Sequence, residues 1–76
     1  MAVKLVFLGK LADLAGAHEK KLPAPLDWTG LVEALGTALT GEKVKLALNG
    51  TVLADKTALA ANDGDEVALL PPVSGG

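Results

Sequence analysis

Apolar and polar residues alternate from the start of the chain. Val3, Leu5 and Phe7 share one side of a two-residue period and Lys4, Val6 and Leu8 share the other, which predicts a strand over 3–8. Leu11, Leu14 and Ala15 follow at i, i+3 and i+4, one or two helical turns stopped by Gly16. His18 to Leu22 reads as a short polar edge strand, ended by Pro23 and Pro25, which cannot donate to a ladder. Trp28, Leu31, Val32, Leu35 and Leu39 form one apolar stripe at helical spacing and predict the main helix over 28–39. Asp27 or Thr29 is placed to cap its start and Gly41 its end, while Gly30 and Gly36 weaken it by about 1 kcal/mol each relative to Ala. Val44, Leu46 and Leu48 alternate with Lys45 and Ala47. Asn49-Gly50 then supplies the two positive-φ residues of a hairpin turn before Thr51-Val52-Leu53. A second turn, Asn62 to Asp65, feeds a last strand over 66–70.

One dominant helix can cover one face of one sheet, so the expected fold class is an α+β roll, a mixed sheet of about five strands under one main helix. Residues 1–70 make the domain and 71–76 a flexible tail. The uncovered face of such a sheet should be polar, yet Val6 and Leu8 point away from the core set of the first strand, as Ala68 and Leu70 do in the last. Together they predict an outward apolar patch for a protein partner. Trp28 begins the helix stripe and is expected in the core.

Composition narrows the chemistry. Seventy-six residues leave no room for a second domain with its own active site. With no Cys, disulfides, thiolate catalysis and Cys-ligated metals are excluded. The net charge is −2 and all seven cationic side chains are Lys, so the bidentate Arg contacts of nucleic-acid readout are absent and no nucleic-acid partner is expected. No apolar run approaches the roughly 20 residues of a membrane span, and the charged opening stretch is unlike a signal peptide, which predicts a cytoplasmic protein without a membrane partner. His18 has no second His or Cys beside it for a metal or a triad, Asp63-Gly64-Asp65-Glu66 lacks calcium-loop spacing, and Gly9-Lys10 lacks the rest of a phosphate loop. No metal site is expected.

The end of the sequence is the remaining candidate. Pro71 and Pro72 favour a stiff, extended exit from the last strand, and the six residues 71–76 can extend about 20 Å at roughly 3.3 Å each. Gly75 and Gly76 have no Cβ, so this backbone can enter a narrow channel, although a frayed and functionless terminus has the same composition.

The acidic turn Asp63-Gly64-Asp65-Glu66-Val67, the short apolar strand after it and Pro71-Pro72-Val73-Ser74-Gly75-Gly76 together resemble the small, sulfur-carrying subunit of molybdopterin synthase, the MoaD type. Val3 to Gly16 and Val32-Glu33-Ala34-Leu35 resemble that family's opening and main helix, so the likeness spans nearly the whole chain. It implies a ubiquitin-like β-grasp fold. It also implies that an E1-like enzyme, using ATP, adenylates Gly76, which then becomes a thiocarboxylate, with no cofactor bound to the chain itself. Gly75 would act as the steric gate, and Pro71, Pro72, Val73 and Ser74 would enter the large synthase subunit, in a heterotetramer of two small and two large chains. There the sulfur would pass to cyclic pyranopterin monophosphate in molybdenum cofactor biosynthesis, the main catalytic groups belonging to the large subunit. A chain without thiols cannot hold sulfur as a persulfide, so sulfur carried for transfer must sit on the carboxyl end. Related carriers for thiamine or tRNA thiolation, a ubiquitin-like tag joined to lysines through Gly76, and a plain interaction module are the alternatives.

Overall fold

In the computed structural model, which describes residues 2–37, 39–41 and 43–71, the opening alternation becomes strand β1 (Ala2–Phe7), with Val3, Leu5 and Phe7 buried. Helix α1 (Lys10–Ala15) follows, and the N–H of Gly16 closes it on the carbonyls of Ala12 and Asp13. Only Leu11 and Ala12 of α1 are buried, and Leu14, expected on its apolar face, is 62% exposed. Strand β2 (Glu19–Pro23) runs back antiparallel to β1, pairing Val6 with Glu19 and Ala2 with Pro23. Its Lys-rich residues form a sheet edge, where charge discourages pairing with another chain.

Two-residue strands β3 (Leu26–Asp27) and β6 (Ala60–Ala61) pair antiparallel in a small second sheet that the periodicity does not predict. Helix α2 (Trp28–Leu35) starts directly from β3, where the Asp27 side chain accepts from the Gly30 N–H at 2.8 Å, the cap expected of it. The helix is one turn shorter than its stripe predicts. Gly36 has φ +79°, a value that favours glycine, and its N–H closes the last turn on Val32. Leu39 is nevertheless buried, and the Thr40 hydroxyl donates to the Gly36 carbonyl at 2.7 Å. The stripe beyond Leu35 therefore records burial after a tight turn and not helix, and Gly41 does not end α2.

Strands β4 (Lys45–Leu48) and β5 (Thr51–Val52) form the predicted hairpin, with positive φ at both Asn49 and Gly50. A 3-10 turn over Lys56–Ala58 leads to β6, and β7 (Glu66–Leu70) completes the main sheet. The order across that sheet is β2-β1-β7-β4-β5. Strands β1 and β7 are parallel neighbours at its centre, and the other pairs are antiparallel.

Leu5, Leu46, Val67 and Leu69 line the inner face of this sheet, and Leu31 of α2 is as fully buried as they are. Leu11, Leu26, Leu39, Leu59 and Ala61 belong to the same cluster. Each fully buried Leu contributes about 1.5–3 kcal/mol through loss of apolar surface from water. Trp28 is half-buried against the cluster instead of inside it, and the Lys56 ammonium lies 5.4 Å from its ring centroid. That ammonium also donates to the carbonyls of Gly41 and, at 2.7 Å, Val44, tying the 3-10 turn to the segment before β4.

Candidate functional site

The register fixes which side chains share the uncovered face of the sheet. Val6 pairs with Ala68, Ala68 with Ala47, and Ala47 with Val52. Directly paired residues point to the same side, so these four form one apolar row across β1, β7, β4 and β5. Glu19 of β2 ends the row. On one flank lie Lys21, Lys4 and Glu66, with the Lys4 ammonium 3.6 Å from the Glu19 carboxylate and 3.8 Å from that of Glu66. On the other flank lie Leu70, paired with Lys45, and Leu8 just beyond the end of β1.

Val6, Leu8, Ala68 and Leu70 thus lie together on the sheet face opposite the core. Val6, Ala68 and Leu70 are half-buried and Leu8 is 39% exposed. Ala47 and Val52 continue the same row, Ala47 buried between its neighbours and Val52 56% exposed. Neither is a candidate on sequence grounds, because their place depends on hairpin register and on β7 lying between β1 and β4. The paired alanines in the middle of the row keep the surface shallow between Val6 and Val52.

Strand β7 leads to Pro71 at the corner where β1 turns into α1. The Leu8 N–H donates to the Leu69 carbonyl at 3.2 Å, carrying the parallel ladder past the end of β1. Gly9 follows at φ +57° and ψ −137°, and a Cβ placed there would lie 3.2 Å from Pro71 Cγ. Pro71 is half-buried. The expected tail residues Pro72, Val73, Ser74, Gly75 and Gly76 lie outside the described residues.

At the opposite end of β7 the acidic turn is structural. The Asp65 carboxylate accepts from the Asn62 N–H at 2.8 Å and from the Asn49 side-chain amide at 3.1 Å. These bonds, the Asn62 N–H first, hold its pKa below the ordinary carboxylate value. Asp63 accepts from the Ala2 N–H, and the Gly64 N–H donates to the Ala2 carbonyl. The turn therefore joins the beginnings of β1 and β7 to the hairpin. A similar local arrangement lowers the pKa of Asp55, through the Thr57 hydroxyl first and the Thr57 N–H second. His18 is exposed and its carbonyl accepts from the Phe7 N–H. Among the described residues no group of three His, Cys, Asp or Glu side chains is arranged to hold a metal ion, and no helix is long and apolar enough to cross a membrane.

A mixed five-strand sheet with a central parallel pair, gripping one main helix, is a β-grasp architecture of the ubiquitin-like kind. The chain belongs to the ThiS family, which it matches over residues 5–76. It is a sulfur carrier or ubiquitin-like modifier of the ThiS/MoaD type. It is similar to a chain in the protein–protein complex of subunits 1 and 2 of molybdopterin-converting factor from Helicobacter pylori 26695, at 28% identity and a TM-score of 0.70, with 100% of each chain covered. It is similar also to small archaeal modifier protein 1 from Haloferax volcanii, at 26% identity and a TM-score of 0.70, again with 100% of each covered. A putative molybdopterin converting factor subunit 1 from Pyrococcus furiosus is 25% identical with a TM-score of 0.73, covering 96% of this chain and 99% of that one. The chain matches none of the curated proteins compared with it.

Proposed function

We propose that the chain is the sulfur-carrying small subunit of a molybdopterin synthase and that the carboxyl of Gly76 carries the sulfur. The observation that carries this reading is the placement of β7. It is the middle strand of the sheet, it runs directly into Pro71, and the family match continues from it through residue 76. Pro71 therefore follows directly on Leu70, a residue of the apolar face. With no Cys in the chain, a persulfide on the carrier is excluded, and a thiocarboxylate is the form of transferable sulfur left to it.

The chemistry has two stages. A carboxylate resists nucleophiles because it is anionic and oxide is a poor leaving group. An E1-like enzyme removes both obstacles by joining a Gly76 carboxyl oxygen to the α-phosphorus of ATP, with pyrophosphate leaving. Hydrosulfide then attacks the acyl carbon, the bond to AMP breaks with AMP leaving, the sulfur loses its proton, and a thiocarboxylate remains. Residues 71–76 next enter a large partner subunit, against which Val6, Leu8, Ala68 and Leu70 pack; the thiocarboxylate sulfur bonds to a carbon of cyclic pyranopterin monophosphate, and water then cleaves the acyl carbon–sulfur bond, restoring the Gly76 carboxylate. Two sulfurs make the dithiolene, which fits two small and two large chains. The likeness to a converting-factor chain solved with its second subunit supports a large-subunit partner.

A second reading has its own support in the full-length likeness to an archaeal modifier protein. In that reading a lysine amine, in place of sulfur, displaces AMP from the same adenylate. Intact mass spectrometry after incubation with ATP, an activating enzyme and a sulfur donor separates the two. Replacement of one terminal oxygen by sulfur supports the carrier, and attachment to lysines of other proteins supports the modifier. Recovery of the free carboxylate alone overturns both.

A further inference from the structure

The corner that receives Pro71 has a role that neither the fold nor the family match assigns. Gly9 is held on both sides of its peptide. The Leu8 N–H is bonded to Leu69 of β7, the Gly9 carbonyl accepts from the Ala12 N–H at 3.1 Å, and Leu11 anchors α1 in the core. Its φ of +57° is strained for any residue with a side chain. The space a Cβ would fill is bounded by Pro71 Cγ at 3.2 Å, closer than ordinary van der Waals contact. The bare Gly9 backbone and the Pro71 ring therefore lie against each other at the point where the chain leaves the sheet.

We propose that Gly9 is a positioning residue: its backbone is the seat on which Pro71 rests, and this contact sets the direction in which residues after Pro71 leave the domain. The proposal rests on the sulfur-carrier reading only for its functional consequence. A side chain at Gly9 would displace Pro71 and re-aim the carboxyl of Gly76 while leaving Val6, Ala68 and Leu70 in place to dock.

Direction is read without any activity. The chain has no Cys, so Ser74→Cys creates a single thiol for a nitroxide label. Paramagnetic broadening of the amides then reports where the label travels. Gly9→Ala should redistribute that broadening, and the redistribution should shrink when Gly9→Ala is added to a Pro71→Ala chain, because the ring it displaces is gone. Pro71→Ala alone should also redistribute it, which keeps the test open if Gly9→Ala folds poorly. An unchanged pattern in either single variant, or the same Gly9→Ala effect with and without Pro71, overturns the seat.

In the adenylation reaction of the unlabelled chain, Gly9→Ala should lower kcat by about tenfold or more with KM unchanged, as misplacement of a reacting group does. Equal kcat with a raised KM overturns the positioning role. If the unsubstituted chain is not adenylated at all, the sulfur-carrier reading fails, whereas the broadening experiment still decides the seat.

Discussion

Asn49 and Glu66 hold each other by two hydrogen bonds: the Asn49 N–H donates to the Glu66 carbonyl at 2.8 Å, and the Glu66 N–H donates to Asn49 Oδ1 at 2.9 Å. The Asn49 amide nitrogen also donates to Asp65, so one side chain joins the hairpin turn to the start of the central strand. Asn49 also has φ +49°, which asparagine tolerates better than most residues. Asn49→Ala should therefore destabilise the domain by about 1–3 kcal/mol, more than a surface substitution. Urea denaturation at neutral pH checks this, with a lowered midpoint and an unchanged slope expected.

Acid should weaken the same junction. The folded-state pKa of Asp65 lies below its ordinary value, so the unfolded chain binds the proton more readily. The stabilisation is present at pH above the ordinary carboxylate value and is lost as pH falls through the lower folded value. Asp55 acts in the same direction. In Asp65→Asn the decline in melting temperature below about pH 4 should be shallower than in the unsubstituted chain. Parallel melting curves across that range would contradict the assignment.

Leu69 carries the core side of β7 and is fully buried. Leu69→Ala should cost about 2–5 kcal/mol, a large fraction of what a domain of this size has. Differential scanning calorimetry should show a sharply lowered transition.

The outward face predicts a different pattern. Leu70, next along the strand and half-buried, can become Asp with little loss of fold, while an unpaired carboxylate would then be trapped at the partner interface. Leu70→Asp should weaken large-subunit binding by at least tenfold, a loss of about 1.4 kcal/mol or more. Unchanged affinity in a calorimetric titration would remove Leu70 from the surface. Val52→Asp, at a position 56% exposed, should behave alike, which tests the extension of the row towards β5.

Deletion of Gly76 removes the proposed reacting carboxyl and touches no core residue. ATP–pyrophosphate exchange by the activating enzyme should vanish while the melting temperature stays within a few degrees. Persistent exchange would place the chemistry elsewhere.

Strands with clean alternation were legible in the sequence, as were turns whose backbone angles few residues can adopt. Val3, Leu5 and Phe7 declare their common face by spacing, and Asn49-Gly50 declares its turn by its φ requirement. Periodicity reports burial, however, and not the conformation that achieves it. Leu39 continues the stripe of α2 although Gly36 has already ended the helix. The pairing of Leu26 with Ala61 is too short to leave a pattern, and nothing in the spacing of Lys56 signals that it bonds two carbonyls above Trp28. The same limit applies to the candidate site. Four of its outward residues could be named from parity along two strands, but Ala47 and Val52 join them only through long-range register. Gly9 signals its role only once Pro71 lies beside it.

The central position of β7 also orders events in time. The contacts of Glu66 to Leu69 with β1 span most of the sequence, and such distant pairings form late because the intervening chain must first be closed into a loop. Until they form, β1 and β4 have no common neighbour and the sheet is in two halves. The segment that begins at Pro71 hangs from the piece that joins those halves, so Pro71 comes to lie beside Gly9 only in a domain that has finished folding. An enzyme that recognises the outward face together with that segment would thereby distinguish mature carriers from nascent or damaged ones without a separate inspection step.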